Sequence, residues 1–144
     1  LDIFSARLKW LREMYGFVQK DMADMVGMSP QGYGKIENGQ REPNLETLAK
    51  LPELLGESLD FLLGVTDDTR KIKRVKEDIE LYKNSVEFAQ EMIANTNDQV
   101  ALAQYQKNLN MYAKKLEDSK IILKNLIQQV PWYGIERPFW KDEN

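Results

Sequence analysis

The side chains able to do chemistry in this chain are carboxamides, hydroxyls and charged groups, and they crowd into one stretch. Between residues 17 and 39, FVQKDMADMVGMSPQGYGKIENG, lie Gln19, Lys20, Ser29, Gln31, Lys35 and Asn38. Such groups donate and accept hydrogen bonds and pair with opposite charge. The chain has no His and no Cys. That removes the usual general base, the commonest metal ligand, and thiolate or disulfide chemistry. A HExxH zinc site is impossible for the same reason. The five serines, Ser5, Ser29, Ser58, Ser85 and Ser119, stand in no recognisable nucleophile context. The residues point to binding rather than catalysis, with no cofactor and no metal.

Two short helices around a tight turn would position these groups. The first is expected over residues 18–26. The second opens at Ser29, whose hydroxyl can cap it, with Pro30 at the first helical position. Gly27 between them is the residue type that tolerates a left-handed turn. Ala23 is small where two helices must cross closely, and Met22, Val26, Met28, Tyr33 and Ile36 supply an apolar side. This is the layout of a helix-turn-helix, whose second helix can enter a DNA major groove.

Residues 4–64 resemble the DNA-binding domain of the phage-repressor family, the lambda-repressor/Cro/Xre type. The resemblance is carried by RLKWLRE (7–13), Gln19, Ala23, Gly27, IENG (36–39), REPNLETLAKL (41–51) and LGESLDFLLG (55–64). It covers roughly 60 residues and implies five helices, a sequence-specific transcriptional repressor of phage, mobile-element or bacterial type, and a cytoplasmic, nucleoid-associated location. Some relatives of that family carry a self-cleaving Ser/Lys domain, but the second half of this chain reads as helical rather than β-rich.

The resemblance also assigns roles. The start of the second motif helix would face base edges with Ser29, Pro30, Gln31 and Gly32, and Lys35 follows a turn later. Pro30 stands where many relatives carry Gln; it offers only a contact to a thymine methyl. Gln31 is then the best base reader, since its amide can pair bidentately with adenine. Gly32 and Gly34 either let the helix sit deep or merely relieve crowding. Gln19 resembles the family's phosphate clamp at a helix N-terminus. Lys20 adds a cation beside it, and Asn38, Gln40 and Arg41 would flank the backbone. Glu37 is expected to find an intramolecular partner, because phosphate repels a carboxylate.

The net charge is −3. Residues 1–65 hold seven Lys/Arg against ten Asp/Glu, so DNA binding requires that the cations face phosphate and the carboxylates face away. Arg7, Lys9, Lys20, Lys35 and Arg41 are the candidates. The acid excess argues for modest non-specific affinity and for dependence on dimerisation. Arg70, Lys71, Lys73, Arg74 and Lys76 form a second basic cluster, either a phosphate contact or a solvated face. No apolar run approaches 18 residues, so no membrane partner is expected.

Other elements follow from periodicity. A first helix is expected over residues 3–15, with Phe4, Leu8 and Leu11 inward, joined by Trp10 or Met14. Asn44 caps a fourth, with Leu45, Leu48, Leu51 and Leu55 inward and Pro52 expected to kink or shorten it. Ser58 caps a short fifth. Residues 65–69 read as a polar linker. Beyond it Ile72, Val75, Ile79, Tyr82, Val86, Ala89 and Ile93 make a heptad seam, and Leu102, Tyr105, Leu109, Tyr112, Leu116, Ser119, Leu123, Leu126 and Val130 a second. The turn residues 95–98 between them favour an antiparallel hairpin.

The chain therefore reads as all-α. Residues 1–65 form the helix-turn-helix domain, expected to fold alone as residues 1–66. Residues 66–130 form a coiled-coil-like hairpin for dimerisation, and residues 131–144 an aromatic tail. The apolar arcs of the hairpin are wider than one seam, with Ile122, Leu126 and Ile127 at the centre of the excess. A homodimer on an inverted-repeat operator covers them; packing on residues 1–64 is the alternative. The hairpin and the tail, with Trp132, Tyr133, Phe139 and Trp140, could instead bind an antirepressor, a peptide or another regulatory protein. The tail's dull alternative is packing on its own bundle.

Overall fold

The computed structural model describes residues 2–135. Its elements are α1 (Asp2–Met14), α2 (Gln19–Val26), α3 (Pro30–Glu37), α4 (Leu45–Leu55), α5 (Leu59–Leu63), α6 (Arg70–Asn95) and α7 (Gln99–Gln129). The fold is all-α: five short helices and then a hairpin of two long ones.

Local chemistry sets most of the boundaries. Ser29, Asn44 and Ser58 each accept a hydrogen bond from the backbone N–H three residues on, at 3.1, 2.8 and 3.0 Å. These caps satisfy donors that helix geometry leaves open. Val18 precedes α2 and has no side-chain acceptor; instead the Asp21 carboxylate accepts its N–H at 2.8 Å. Gly27, at φ 76°, closes α2 in the left-handed region. α4 runs through Pro52 to Leu55 and is not cut short there; Gly56 ends it, donating to the Pro52 carbonyl at 2.9 Å.

The chain divides into two compact units. The first contains residues 2–70 together with residues 130–135. Its core holds Phe4, Leu8, Leu11, Met22, Ala23, Tyr33, Ile36, Leu51, Leu55, Phe61 and Leu62. Each large apolar side chain buried there contributes about 1.5–3 kcal/mol. α2 packs chiefly on α3, while α1 lies against α3 and α5. Of the two candidates to extend the α1 face, Trp10 is half-buried and Met14 is exposed.

Two expectations fail in this unit. Leu45 is 84% exposed. It sits roughly 100° round the helix from the centre of the face formed by Thr47, Leu48, Leu51 and Leu55, at 100° per residue. Arg7 is fully buried rather than turned toward phosphate. Its guanidinium donates to the carbonyls of Phe61 (2.7 Å), Thr66 (2.8 Å) and Pro131 (3.2 Å) and to Asp67 Oδ1 (2.6 Å). It also lies 4.4 Å from the Phe61 ring centre. Burial lowers its pKa to about 10, which leaves it charged at neutral pH.

The expected linker is therefore anchored. Asp67 binds Arg7 and accepts from the Gly134 N–H at 2.9 Å, and Asp68 accepts from the Tyr133 hydroxyl at 2.8 Å. The described start of the tail thus packs on the first unit of its own chain. Phe139 and Trp140 lie outside the described residues.

The second unit, residues 71–129, is the hairpin. Within it, the seam residues from Ile72 to Ile93 and from Leu102 to Leu126 are all buried or half-buried; Val130, the last of the second seam, belongs to the first unit and is buried. Tyr82 and Tyr112 meet across the seam with ring centres 6.3 Å apart. Asp98 caps α7, its carboxylate accepting from the Val100 N–H at 3.0 Å. A hairpin covers one stripe per helix, and α7 has no fully buried residue. Leu81, Phe88, Met111, Ile121 and Ile122 stay exposed, while Leu126 and Ile127 are half-buried.

Candidate nucleic-acid interface

The turn between α2 and α3 is built from backbone hydrogen bonds at Gly27. Its N–H reaches Asp24 O at 3.3 Å and the Met28 N–H reaches Ala23 O at 2.9 Å. The chain then enters α3 with its apolar residues inward: Tyr33 and Ile36 are buried, whereas Ser29, Pro30, Gln31 and Lys35 are exposed. The outward row is the one that sequence reasoning assigned to base edges.

A shallow open groove of about 450 Å³ runs along this surface. Gln19, Pro30, Gln31, Gly34, Lys35, Asn38 and Gln40 line it. Six of the ten expected interface residues therefore meet in one place, joined by Gly34. The loop after α3 is drawn in because the Gln40 and Arg41 N–H groups both donate to Lys35 O, at 2.8 and 3.2 Å. Lys20 and Arg41 are exposed beyond the lining. Ser29 uses an Oγ lone pair on its cap and keeps its proton available to an outside acceptor.

The two glycines have distinct neighbours. A Cβ at Gly32 would lie 3.1 Å from Ser29 Oγ and 3.4 Å from an Arg41 guanidinium nitrogen. Gly32 thus leaves room for Arg41 over the start of α3. A Cβ at Gly34 would lie 3.3 Å from Gln19 Oε1.

Behind the groove stands an ion pair. The Arg12 guanidinium donates to Glu37 at 2.7, 2.9 and 3.1 Å, and to Phe17 O at 2.8 Å. Burial acts to raise the Glu37 pKa, but Arg12, Tyr33 and Gln19 together outweigh it, so the carboxyl lies below its ordinary range. The same contact raises Arg12. Burial first, and Glu37 second, push the Tyr33 phenol up. Glu37 is thus held inside the protein, as its repulsion from phosphate suggested.

Gln19 belongs to this network. Its amide nitrogen donates to Glu37 Oε1 at 3.4 Å. Its carbonyl oxygen lies beside Gly34, and the residue is part of the groove's lining. Sequence reasoning missed the link from Arg12 through Glu37 to Gln19; the pairing of a cation in α1 with a buried carboxylate in α3 was its only available signal. Of the cations expected to meet phosphate, Lys9, Lys20, Lys35 and Arg41 are open to solvent and Arg7 is not. Among the described residues no cluster of acidic side chains is arranged to hold a metal, and no helix is long and apolar enough to cross a membrane.

The helix-turn-helix family matches residues 8–62. The chain is 52% identical over 64 residues to the SPbeta prophage-derived uncharacterized HTH-type transcriptional regulator YonR of Bacillus subtilis, covering 44% of this chain and 59% of YonR. It is 31% identical over 99 residues to the HTH-type transcriptional regulator ImmR of the same organism, covering 59% of this chain and 78% of ImmR. It is 35% identical over 68 residues to the cryptic phage CTXphi transcriptional repressor RstR of Vibrio cholerae, covering 46% of this chain and 61% of RstR. The chain thus spans about three fifths of the length of YonR and of RstR. No solved structure matches it.

Proposed function

Because the chain belongs to the helix-turn-helix transcriptional regulators of the lambda-repressor/Cro/Xre type, we propose that it represses transcription by binding an inverted-repeat operator as a dimer. The family acts by binding DNA and not by catalysis. The observation that carries the finer reading is the groove of Gln19, Pro30, Gln31, Gly34, Lys35, Asn38 and Gln40 on the exposed side of α3. Gln31 and Lys35 read base edges in the major groove, the first suited to adenine and the second to guanine or phosphate. Lys20, Asn38, Gln40 and Arg41 hold the backbone, and Ser29, Pro30 and Gly32 bring the start of α3 against the bases. RstR, by its name a repressor, supports the direction of regulation by likeness.

Dimerisation by the hairpin of α6 and α7 would set two recognition helices on one face of DNA, about 34 Å apart or a multiple of it. The acidic balance of the first unit makes that linkage valuable, since joining two weak sites raises effective concentration. The test is selection of bound duplexes from a random pool with the full chain, followed by footprinting. An enriched inverted repeat, protected on one face, is expected. Enrichment of a single unrepeated half-site would overturn the dimeric reading, and absence of any enriched sequence would overturn sequence-specific repression.

A further inference from the structure

Six of the eight glycines stand at positive φ, where a side chain would be strained; Gly32 and Gly34, both inside α3, do not. Glycine within a helix of ordinary geometry weakens it relative to alanine, so the backbone does not call for glycine at residue 32. What glycine supplies there is space. A Cβ on Gly32 would lie 3.1 Å from Ser29 Oγ, 3.4 Å from an Arg41 guanidinium nitrogen and 4.0 Å from Met28 Sδ. The Ser29 oxygen is itself engaged, since it accepts the Gly32 N–H at 3.1 Å. The guanidinium therefore lies over a place that any side chain on residue 32 would begin to fill.

The backbone of Arg41 is fixed at the other end of the helix. The N–H groups of Asn38, Gln40 and Arg41 donate to the carbonyls of Gly34, Lys35 and Lys35, at 2.9, 2.8 and 3.2 Å. From there the Arg41 side chain runs back along α3, about one turn from Lys35 to Gly32. Arg7 and Arg12 spend their guanidinium groups on acceptors inside the protein. Arg41 is exposed, and among the described residues its side chain makes no ion pair or hydrogen bond. A long cationic side chain is thus laid in place while its charge stays unspent.

We infer that Gly32 is a positioning residue: by presenting no side chain it seats the Arg41 guanidinium beside the start of α3, aimed at a DNA phosphate. A guanidinium binds phosphate through a planar fork, so its direction counts as well as its charge. Laying it along the helix beforehand also leaves fewer rotamers to be lost on binding. A methyl group on residue 32 would push the fork off this line while the charge remained on the loop. The inference rests on the DNA-binding reading above. It goes beyond that reading because Gly32 acts through Arg41 and not only through its own approach to the bases.

Fluorescence anisotropy of the full chain over a salt series tests it, on a labelled duplex from the selection and on a scrambled version of that duplex. Arg41→Ala is expected to lower affinity about tenfold or more on both, and to reduce the slope of log K against log salt by about 1. Gly32→Ala alone should do the same, with its melting temperature held or raised, since alanine is the better helix former. Adding Arg41→Ala to Gly32→Ala should then change affinity by less than about twofold. Any folding defect of Gly32→Ala is common to both chains in that last comparison and cancels from it. Arg41→Lys leaves Gly32 untouched and keeps the charge without the fork; it should lose affinity severalfold. Full affinity in Gly32→Ala or in Arg41→Lys would overturn the inference and leave DNA binding standing. An undiminished effect of Arg41→Ala in the Gly32→Ala chain would overturn it too, and would place residue 32 against the DNA itself. A wild-type chain that binds neither duplex at low salt would overturn the DNA-binding reading along with it.

Discussion

Arg12 on α1 and Glu37 at the end of α3 meet in a fork, with three N–H···O contacts between 2.7 and 3.1 Å and a carboxylate side chain only 1% exposed. The pair ties α1 to α3 and at the same time holds the Gln19 amide. A buried carboxylate stripped of its partner is costly: breaking such a pair loses about 3–5 kcal/mol. Arg12→Ala is expected to destabilise by that order in chemical denaturation.

The ion pair also sets the acid limb of stability. Glu37 lies below its ordinary value in the folded state. Its contribution is therefore complete above the unfolded carboxyl range and disappears as pH falls through the depressed folded value. The melting temperature of the wild-type chain should drop more steeply below that range than that of Glu37→Gln, which has no proton to gain. Parallel acid limbs in the two proteins would contradict the assignment.

Gln31 is exposed at the lip of the groove, and its role is separable from that of Arg41. Gln31→Ala is expected to cost about 1–3 kcal/mol on the selected site and to relax preference at one base pair per half-site. Arg41→Ala should weaken all sequences evenly and reduce the salt slope by about 1. Competition binding on single-substituted duplexes at two salt concentrations distinguishes them; equal loss on every duplex with Gln31→Ala would remove it as a base reader.

Gly34→Ala separates stability from recognition. Alanine gains up to about 1 kcal/mol of helix propensity over glycine. The new methyl would meet Gln19 Oε1 at 3.3 Å and push it from its place beside Glu37. Melting temperature should hold or rise while DNA affinity falls. Unchanged affinity by fluorescence anisotropy would mean that Gln19 is not needed where it stands.

The Arg7 cluster predicts that residues 1–66 are an incomplete domain. That fragment lacks Asp67 and Pro131, two of the four acceptors of a fully buried cation. It is expected to unfold at clearly lower denaturant than the full chain. Asp67→Asn in the full chain should account for part of the difference. A fragment as stable as the intact protein would show that these contacts contribute nothing.

What the sequence made legible was local. Ser29, Asn44 and Ser58 act on the N–H three residues ahead, and Gly27, Gly56 and Gly64 act through their own backbone, so each signal lies within one turn of what it controls. The heptad seams were legible because their period repeats over many turns. What stayed hidden was distant in sequence. Arg7 finds its acceptors 54 to 124 residues away, and an arginine on an early helix has the same local pattern whether buried or free. The residues of the groove came from family position and chemistry; the Glu37 carboxylate that orients Gln19 came only from packing. Leu45 misled because a leucine one turn before an apolar face reads as part of it.

The first unit is assembled from residues 2–70 and 130–135, with the hairpin as an insertion between its two pieces. Translation therefore delivers the parts out of structural order. Arg7 leaves the ribosome early, yet its last acceptor, Pro131, is added 124 residues later, after about 6–25 s at elongation rates of roughly 5–20 residues per second. Until then the nascent chain holds a cation whose final acceptor has not been made. A chain ending within the hairpin would lack that acceptor and is expected to be less stable than the full chain. The stretch that completes the first unit is synthesised only after the whole hairpin.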